Sequence, residues 1–443
     1  MMRAQDLKRD ADQIVDSVTA QDIGALPDRS VTETLKRVSG VTVTNFLARD
    51  DPDHFSAEGS GVMIRGLTQV RGELNGRDVF SANGGRGLSF EEVPSELMAG
   101  VDVYKNPAAD IIEGGLGGTV NLRTRMPFDE PGRKIAASVD YNYGDFVEEG
   151  NPSGSFLFSD RWDTEVGEFG FLANLSYSEL ATRSDGIQVE AYQRRNDAAL
   201  LEGTSFDWVY IPGGVNWRTL DFERKRQGLA LAAQWRPNEN TEVYAQFLRS
   251  KYNMQWREHS MTFGDQLQGA DGAWRDNDIL PAPGTTFTYD RNGVFQTGYA
   301  TRQRQEIDWV NIDWGSIDWS QPWDPSITEL CCGLEPYSLA FRTTNRLSKQ
   351  ETVTSDWSAG FRHFITDKLV MRGDLQYVES SSKPVDFSVI AATFLSNVYL
   401  DLTGKYPSLQ LAADKEQLQD PASYSWLANM DNLQDNRGEE LAG

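Results

Sequence analysis

From residue 134 onward, apolar and polar side chains alternate in long runs with period two. Ile135, Ala137, Val139, Tyr141 and Tyr143 alternate with Ala136, Ser138, Asp140, Asn142 and Gly144. Phe169, Phe171, Ala173, Leu175 and Tyr177 oppose Gly170, Asn174, Ser176 and Ser178, with Leu172 the exception. Leu229, Leu231, Ala233 and Trp235 oppose Arg224, Arg226, Gly228, Ala230, Ala232, Gln234 and Arg236. Leu369, Met371, Leu375 and Tyr377 oppose Arg372, Asp374 and Gln376, with Val370 and Val378 as exceptions. Successive strand residues point to opposite faces, so each run predicts a strand with one apolar and one polar face. About seven strands follow from this pattern. The segment from Gly293 to Arg304 adds an eighth, or a hairpin within its loop.

The connections sort into two kinds. Pro237–Asn240, Thr366–Lys368 and Asp163–Gly167 are tight, whereas the stretches 183–221, 256–340 and 384 onward are long. Structureless loops of that length count against an ordinary globular domain. Short turns alternating with long loops are what a transmembrane β-barrel requires.

The first 128 residues read differently. Ser30-Val-Thr-Glu33 is a capping box, followed by Val31, Leu35 and Val38 on one helical face and Gly40 as a stop. Val41–Val43 and Val62–Ile64 read as short strands, Leu74-Asn-Gly-Arg77 as a tight turn, and Pro94–Met98 as a helical turn before a Val101–Lys105 strand. Gly114-Gly-Leu-Gly-Gly118 lacks the Gly-Lys-Ser/Thr of a phosphate loop and leads into a strand, so these glycines serve a sharp turn or close backbone approach. Pro127–Pro131 marks a boundary. The expected architecture is a compact α+β unit over 12–128, then part of a transmembrane antiparallel β-barrel over 134–443.

Composition narrows the function. With 42 Lys plus Arg against 66 Asp plus Glu the formal charge is −24, which disfavours nucleic acid. No segment approaches the roughly 18 consecutive apolar residues of a membrane-spanning helix. Aromatics at 11% fit the girdles of a barrel. Cys331 and Cys332 are adjacent and frame no loop, and His54, His259 and His363 show no ligand spacing, so no metal or cofactor is expected. Neither a nucleophile elbow nor a His-Glu-x-x-His motif is present, and the chain reads as a non-enzyme. The absence of a signal peptide, the uneven strand count and the loop-like stretch 416–443 lead to the expectation of a fragment truncated at both ends.

With these residues laid out, the first unit resembles the plug of TonB-dependent outer-membrane receptors. The matching pieces run in the family's order: Ile14-Val-Asp16, Ala20-Gln-Asp-Ile23, Leu26-Pro-Asp28, Leu35–Val41, Ile64-Arg-Gly66, Leu74–Arg77, Val101–Ala109 and Glu113–Thr124, closed by Arg125–Asp129. The runs Val103-Tyr-Lys-Asn-Pro-Ala-Ala-Asp110 and Glu113–Thr124 are more narrowly similar to the large-barrel proteobacterial subfamily associated with carbohydrate uptake. The resemblance implies a 22-stranded barrel, of which seven or eight strands are present here. It also implies outer-membrane lipid around the barrel, TonB and its inner-membrane energising complex as partners, and active import of a large nutrient. The short box that TonB grips lies ahead of the plug in this family, and the resemblance leads to the expectation that this chain opens downstream of it.

Further expectations follow from the resemblance. Arg65 and Lys105 occupy positions where the family's cations pair with barrel glutamates and lock the plug to the wall. The repeat Ile307-Asp-Trp-Val-Asn-Ile-Asp-Trp-Gly-Ser-Ile-Asp-Trp319 places an acid beside each ring. Indole faces stack on sugar rings and carboxylates accept sugar hydroxyls, so Trp256, Trp309, Trp314 and Trp319 are candidate substrate contacts for an oligosaccharide. Membrane girdles and loop packing account for such tryptophans equally well one at a time. Import of a ferric siderophore or haem by the same architecture is the alternative.

Overall fold

The computed structural model describes residues 4, 8–9, 11, 13–19, 30–44, 60–83, 88–106, 108, 111–263, 266–268, 274–276, 279–302, 337, 339–366, 368–413 and 415–442. The N-terminal unit is built on strands β1 (Val15–Thr19), β2 (Val41–Thr44), β3 (Ser60–Ile64), β4 (Val70–Leu74), β5 (Arg77–Asp78), β6 (Met98–Tyr104) and β7 (Gly118–Thr124). Five of them form a sheet in the order β1-β6-β7-β4-β5, in which β4 and β7 are parallel. Strands β2 and β3 make a separate hairpin. Helix α1 (Val31–Leu35) starts where the Ser30 hydroxyl accepts from the Glu33 amide at 3.2 Å, as its capping residues predict. Asn75 and Gly76 carry φ of 53° and 75°, the left-handed pair that a two-residue hairpin turn needs. Val31, Leu35, Ile64, Leu97, Val101, Val103 and Val120 are all at 0% exposure and form the centre of this unit's apolar core.

The glycine corner is a close backbone packing. A Cβ on Gly118 (φ 146°) would lie 2.4 Å from the Tyr104 carbonyl oxygen, and one on Gly115 would lie 2.5 Å from the Gly118 carbonyl oxygen. Only glycine lets β7 enter the sheet this tightly.

The second unit is a wall of long antiparallel strands: β8 (Lys134–Gly144), β9 (Glu149–Thr164), β10 (Gly167–Val189), β11 (Val215–Asn238), β12 (Thr241–Phe263), β13 (Leu339–Thr366), β14 (Leu369–Leu395), β15 (Ser425–Leu433) and β16 (Asn436–Ala442). They pair in sequence order, and β15 and β16 share the outer edge of β14, one at each end. The stretch expected to be loop-like after 416 therefore holds two strands. Strands β10 to β14 also run well into the segments expected to be loops. Their outer halves mix polar and apolar residues on both faces, so the apolar/polar contrast vanishes while the hydrogen-bonded pairing continues.

Pairing register assigns two faces to this wall. On β10 to β14 the even-numbered residues share one face, and the odd-numbered residues share the other with the even residues of β9 and the odd residues of β8. The second face is an apolar band open to its surroundings: Ile135, Val139, Tyr141, Phe156, Trp162, Phe171, Leu175, Trp235, Trp357 and Leu375 are all exposed. At one end Trp162, Phe169 and Trp235 stack side by side, with ring centroids 6.3 and 5.9 Å apart. At the other end the band stops abruptly. Beyond Tyr177 the same face carries the ion pairs Lys225–Glu179, Lys251–Glu351, Arg257–Glu223 and Arg183–Asp185. An apolar belt edged by aromatics and then by charge matches a sheet surrounded by lipid, and a water-soluble sandwich would have buried it. Among the described residues no helix is long and apolar enough to cross a membrane.

Past the ion-paired rows, segments from two different connections join in one small sheet. Phe295–Arg302 pairs with Ile279–Pro281 and with Val398–Asp401, which in turn pairs with Ser408–Leu411. Phe263, Phe295, Phe341, Leu395, Val398 and Leu400 close an apolar core between this sheet and the wall's odd face.

Candidate functional site at the plug and wall

The even face of the wall is lined with small and polar groups, which lets the N-terminal unit approach closely. A Cβ on Gly228 would lie 2.6 Å from Leu97 Cδ1 and 2.8 Å from Pro94 Cγ, and one on Gly170 would lie 2.6 Å from Pro127 Cβ. Ala230, Leu248 and Val378 of the wall belong to the same apolar cluster as the core of the first unit. Polar contacts surround this centre. The Ser250 hydroxyl donates to the Glu92 carbonyl at 2.5 Å, the Ala82 amide to Ser380 Oγ at 2.9 Å, Asn174 to the Glu96 carbonyl at 3.0 Å, and the Phe128 amide to Gln234 Oε1 at 2.8 Å. The guanidinium groups of Arg161 and Arg236 lie over the Phe128 ring at 4.8 and 4.7 Å.

Among the described residues, Arg77 is a cation of the first unit that reaches the wall. It follows the Asn75-Gly76 turn and donates to Tyr244 Oη at 3.1 Å, Gln246 Oε1 at 3.3 Å and Ser358 Oγ at 3.0 Å, with Asp374 at 3.6 Å. The sequence shows the turn but not the role of its last residue. The signal available is a cation at the tip of a two-residue hairpin, where a long side chain projects farthest. Arg65 and Lys105, the expected lock residues, make their described contacts inside the first unit. Lys105 pairs with Asp16 and donates to the Ser39 carbonyl at 2.5 Å, and Arg65 donates to the Lys105 carbonyl at 3.1 Å. Partial burial raises the Asp16 carboxyl, but the Lys105 and Lys8 ammonium groups outweigh that and hold it below its usual range. Neither Arg65 nor Lys105 meets a wall carboxylate among the described residues.

Glu92 lies at the same interface. Its carboxylate accepts from Ser81 at 3.0 Å and Asn83 at 2.9 Å. Burial, with the neighbouring Glu91 charge, pushes its pKa up to about 7, against those hydrogen bonds and the attraction of Arg226.

Between this interface and the far end of the wall, the even positions of β10 to β14 carry five arginines (Arg218, Arg224, Arg226, Arg342, Arg346) and two acids (Glu258, Asp386). Arg346 binds Asp386 through two hydrogen bonds of 2.8 and 2.6 Å. Arg218 lies 3.9 Å from Glu258, Arg224 donates to Ser178 Oγ at 2.7 Å, and Arg226 lies over Tyr252 at 5.7 Å. Alternation alone places Arg224 and Arg226 on the polar face of β11, but grouping them with Arg218, Arg342 and Arg346 needs the register between strands.

Trp256 sits within these rows at 0% exposure, packed with Leu180, Leu220 and Phe222 and covered by the Arg346 guanidinium at 5.0 Å. A ring so enclosed offers no open face to a sugar. Trp309, Trp314, Trp319 and the Cys331–Cys332 pair lie outside the described residues.

The fold therefore defines a membrane-type β wall with a small α+β domain seated on its polar face. Residues 7–119 match the family described as the TonB-dependent Receptor Plug Domain, which identifies the N-terminal unit as a plug domain. A plug of this family marks a transporter or receptor, not an enzyme. No curated protein matches the chain at the level required for similarity. Among solved structures it is similar to the ferric citrate transporter, with 12% identity, 99% of this chain, 75% of that one and a TM-score of 0.35. It is also similar to a ferric enterobactin receptor from Pseudomonas aeruginosa, with 12% identity, 90% and 60% coverage and a TM-score of 0.35. A siderophore receptor from Acinetobacter baumannii gives 11% identity, 93% and 76% coverage and a TM-score of 0.32. The chain spans 60% of the enterobactin receptor and 76% of the siderophore receptor.

Proposed function

We propose that this chain forms the plug and adjoining wall of a TonB-dependent outer-membrane importer whose cargo is a bulky anionic solute. The arginine rows carry this reading, and the distant likeness to ferric-complex receptors adds nothing to it. Five arginines stand against two acids on this face beyond the plug, with Arg224 and Arg226 buried and Arg346 bound to Asp386, and the remaining excess of positive charge favours an anionic solute. An anionic ferric chelate fits that charge best. A carboxylated oligosaccharide is the second reading, favoured by the Ile-Asp-Trp repeat of 307–319. A neutral sugar has less support, since Trp256 is enclosed. TonB is the proposed energising partner, acting on the plug from the opposite side of the membrane.

The test is calorimetric titration of the full-length protein in detergent with ferric citrate, ferric enterobactin, a uronic-acid oligosaccharide and a neutral oligosaccharide. Saturable binding of an anionic ligand, weakened at least tenfold by Arg218→Ala with Arg342→Ala, is expected. Tighter binding of the neutral sugar than of every anionic probe would overturn the proposal.

A further inference from the structure

A second concavity lies on the other side of the wall, away from the plug. It has a volume of about 1070 Å³ and sits between the odd face of the outer strand extensions and the 402–407 loop of the small sheet. Trp217 and Tyr406 supply two aromatic rings, and Tyr406 is 64% exposed. Around them stand His259, Asn345, Asp185 and Lys405. The register assigns Asp185, Trp217, His259 and Asn345 to odd positions, so this groove opens opposite the cargo passage.

We propose that this groove is a saccharide-binding site on the outside of the wall. Three observations converge on a sugar. Flat aromatic rings beside amide, imidazole, carboxylate and ammonium groups form a donor-and-acceptor set suited to ring hydroxyls, while the rings take the apolar sugar face. The groove is large enough for several sugar units. Its height selects the ligand further. Asp185 lies eight residues beyond Tyr177, where the continuous run of exposed apolar side chains on the odd face of β10 gives way to Glu179 and Arg183. At about 3.3 Å per residue and a strand tilt near 40°, that is roughly 20 Å above the band. A phospholipid headgroup extends only about 6 Å from the hydrocarbon and cannot reach it. A glycolipid with an extended sugar head can, and so can a soluble oligosaccharide.

The experiment separates these two sources. The full-length protein is extracted from its membrane in mild detergent, and co-extracted lipopolysaccharide is quantified by native mass spectrometry. The same protein is titrated with deacylated lipopolysaccharide core oligosaccharide. Two variants are compared with the parent: Trp217→Ala with Tyr406→Ala, and Asn345→Ala with Lys405→Ala, the latter pair being exposed and without weight in the fold. At least a tenfold loss of retained lipopolysaccharide in both variants, with no binding of the free oligosaccharide, supports the site with a membrane source. Binding of the free oligosaccharide, lost in both variants, supports it with a soluble source. Equal retention and equal titration by parent and variants would overturn it.

Discussion

Arg77 and Ser358 meet at 3.0 Å across 281 residues of sequence, one at the tip of a plug hairpin and the other on the even face of the wall. The same guanidinium reaches Tyr244, Gln246 and Asp374, so a single side chain ties strands β12, β13 and β14 to the plug. Arg77→Ala should lower the resistance of the plug to urea by about 1–3 kcal/mol, the usual weight of hydrogen bonds to a charged group. Arg77→Lys should recover only part of it, because an ammonium cannot reproduce the planar fork. Plug unfolding followed by protease access, with barrel integrity checked separately, decides the matter.

Gly228 gives the plug its closest approach to the wall. Gly228→Leu drives a side chain into Leu97 and Pro94 of the plug and against Ser176 Oγ of the neighbouring strand, and should cost about 1–3 kcal/mol of plug docking. Gly186→Ala, where a Cβ would meet only Arg218 at an ordinary 3.7 Å, is the comparison for a glycine substitution away from the interface. Equal plug stability in parent and Gly228→Leu would contradict the docking described here.

The seated plug should loosen with rising pH. The Glu92 pKa is raised from 4.5 to about 7, so the folded state holds the proton more tightly than the unfolded state. Its contribution is full below about pH 4.5 and is lost as pH rises through about 7. Glu92→Gln should flatten that part of the pH profile of plug stability. A parent profile that instead rises between about pH 5 and 8 would show that other groups dominate.

Leu175 lies in the middle of the band on β10, with its side chain facing away from the plug. Leu175→Arg should cost about 2–4 kcal/mol of barrel stability in a bilayer. The measurement is reversible folding of the full-length protein into phosphocholine vesicles, and a cost below a few tenths of a kcal/mol would place Leu175 outside the lipid.

Much of this architecture is legible from alternation alone, since Phe169 to Tyr177 and Leu229 to Trp235 already identify an apolar face. The plug hairpin and helix cap are legible because Asn75-Gly76 and Ser30–Glu33 have local signatures. What escapes is set by pairing across the sheet. The outer halves of β10 to β14 lose their contrast because polar and apolar residues mix on both faces, with Leu180, Leu220, Phe222 and Trp256 clustered on the even face and Phe263, Phe341 and Leu395 on the odd face, so alternation ends them too early. Arg218 and Arg346 can be placed on one face only through the register that relates β11 to β12 and β12 to β13. Lys105 resembles a lock residue by position, yet its partner Asp16 lies 89 residues away on β1, a pairing that no local pattern encodes.

The central claim is that one face of the wall meets lipid and the other meets the plug. Spin labels placed singly at residues 169–186 of β10 in the full-length protein, reconstituted in bilayers, test it through collision with oxygen and with a water-soluble nickel complex. Odd positions from Phe169 to Tyr177 should favour oxygen, even positions should be shielded from both, and from Glu179 onward the odd positions should switch to the nickel complex. A profile without period two, or one in which the even positions favour oxygen, would contradict the account.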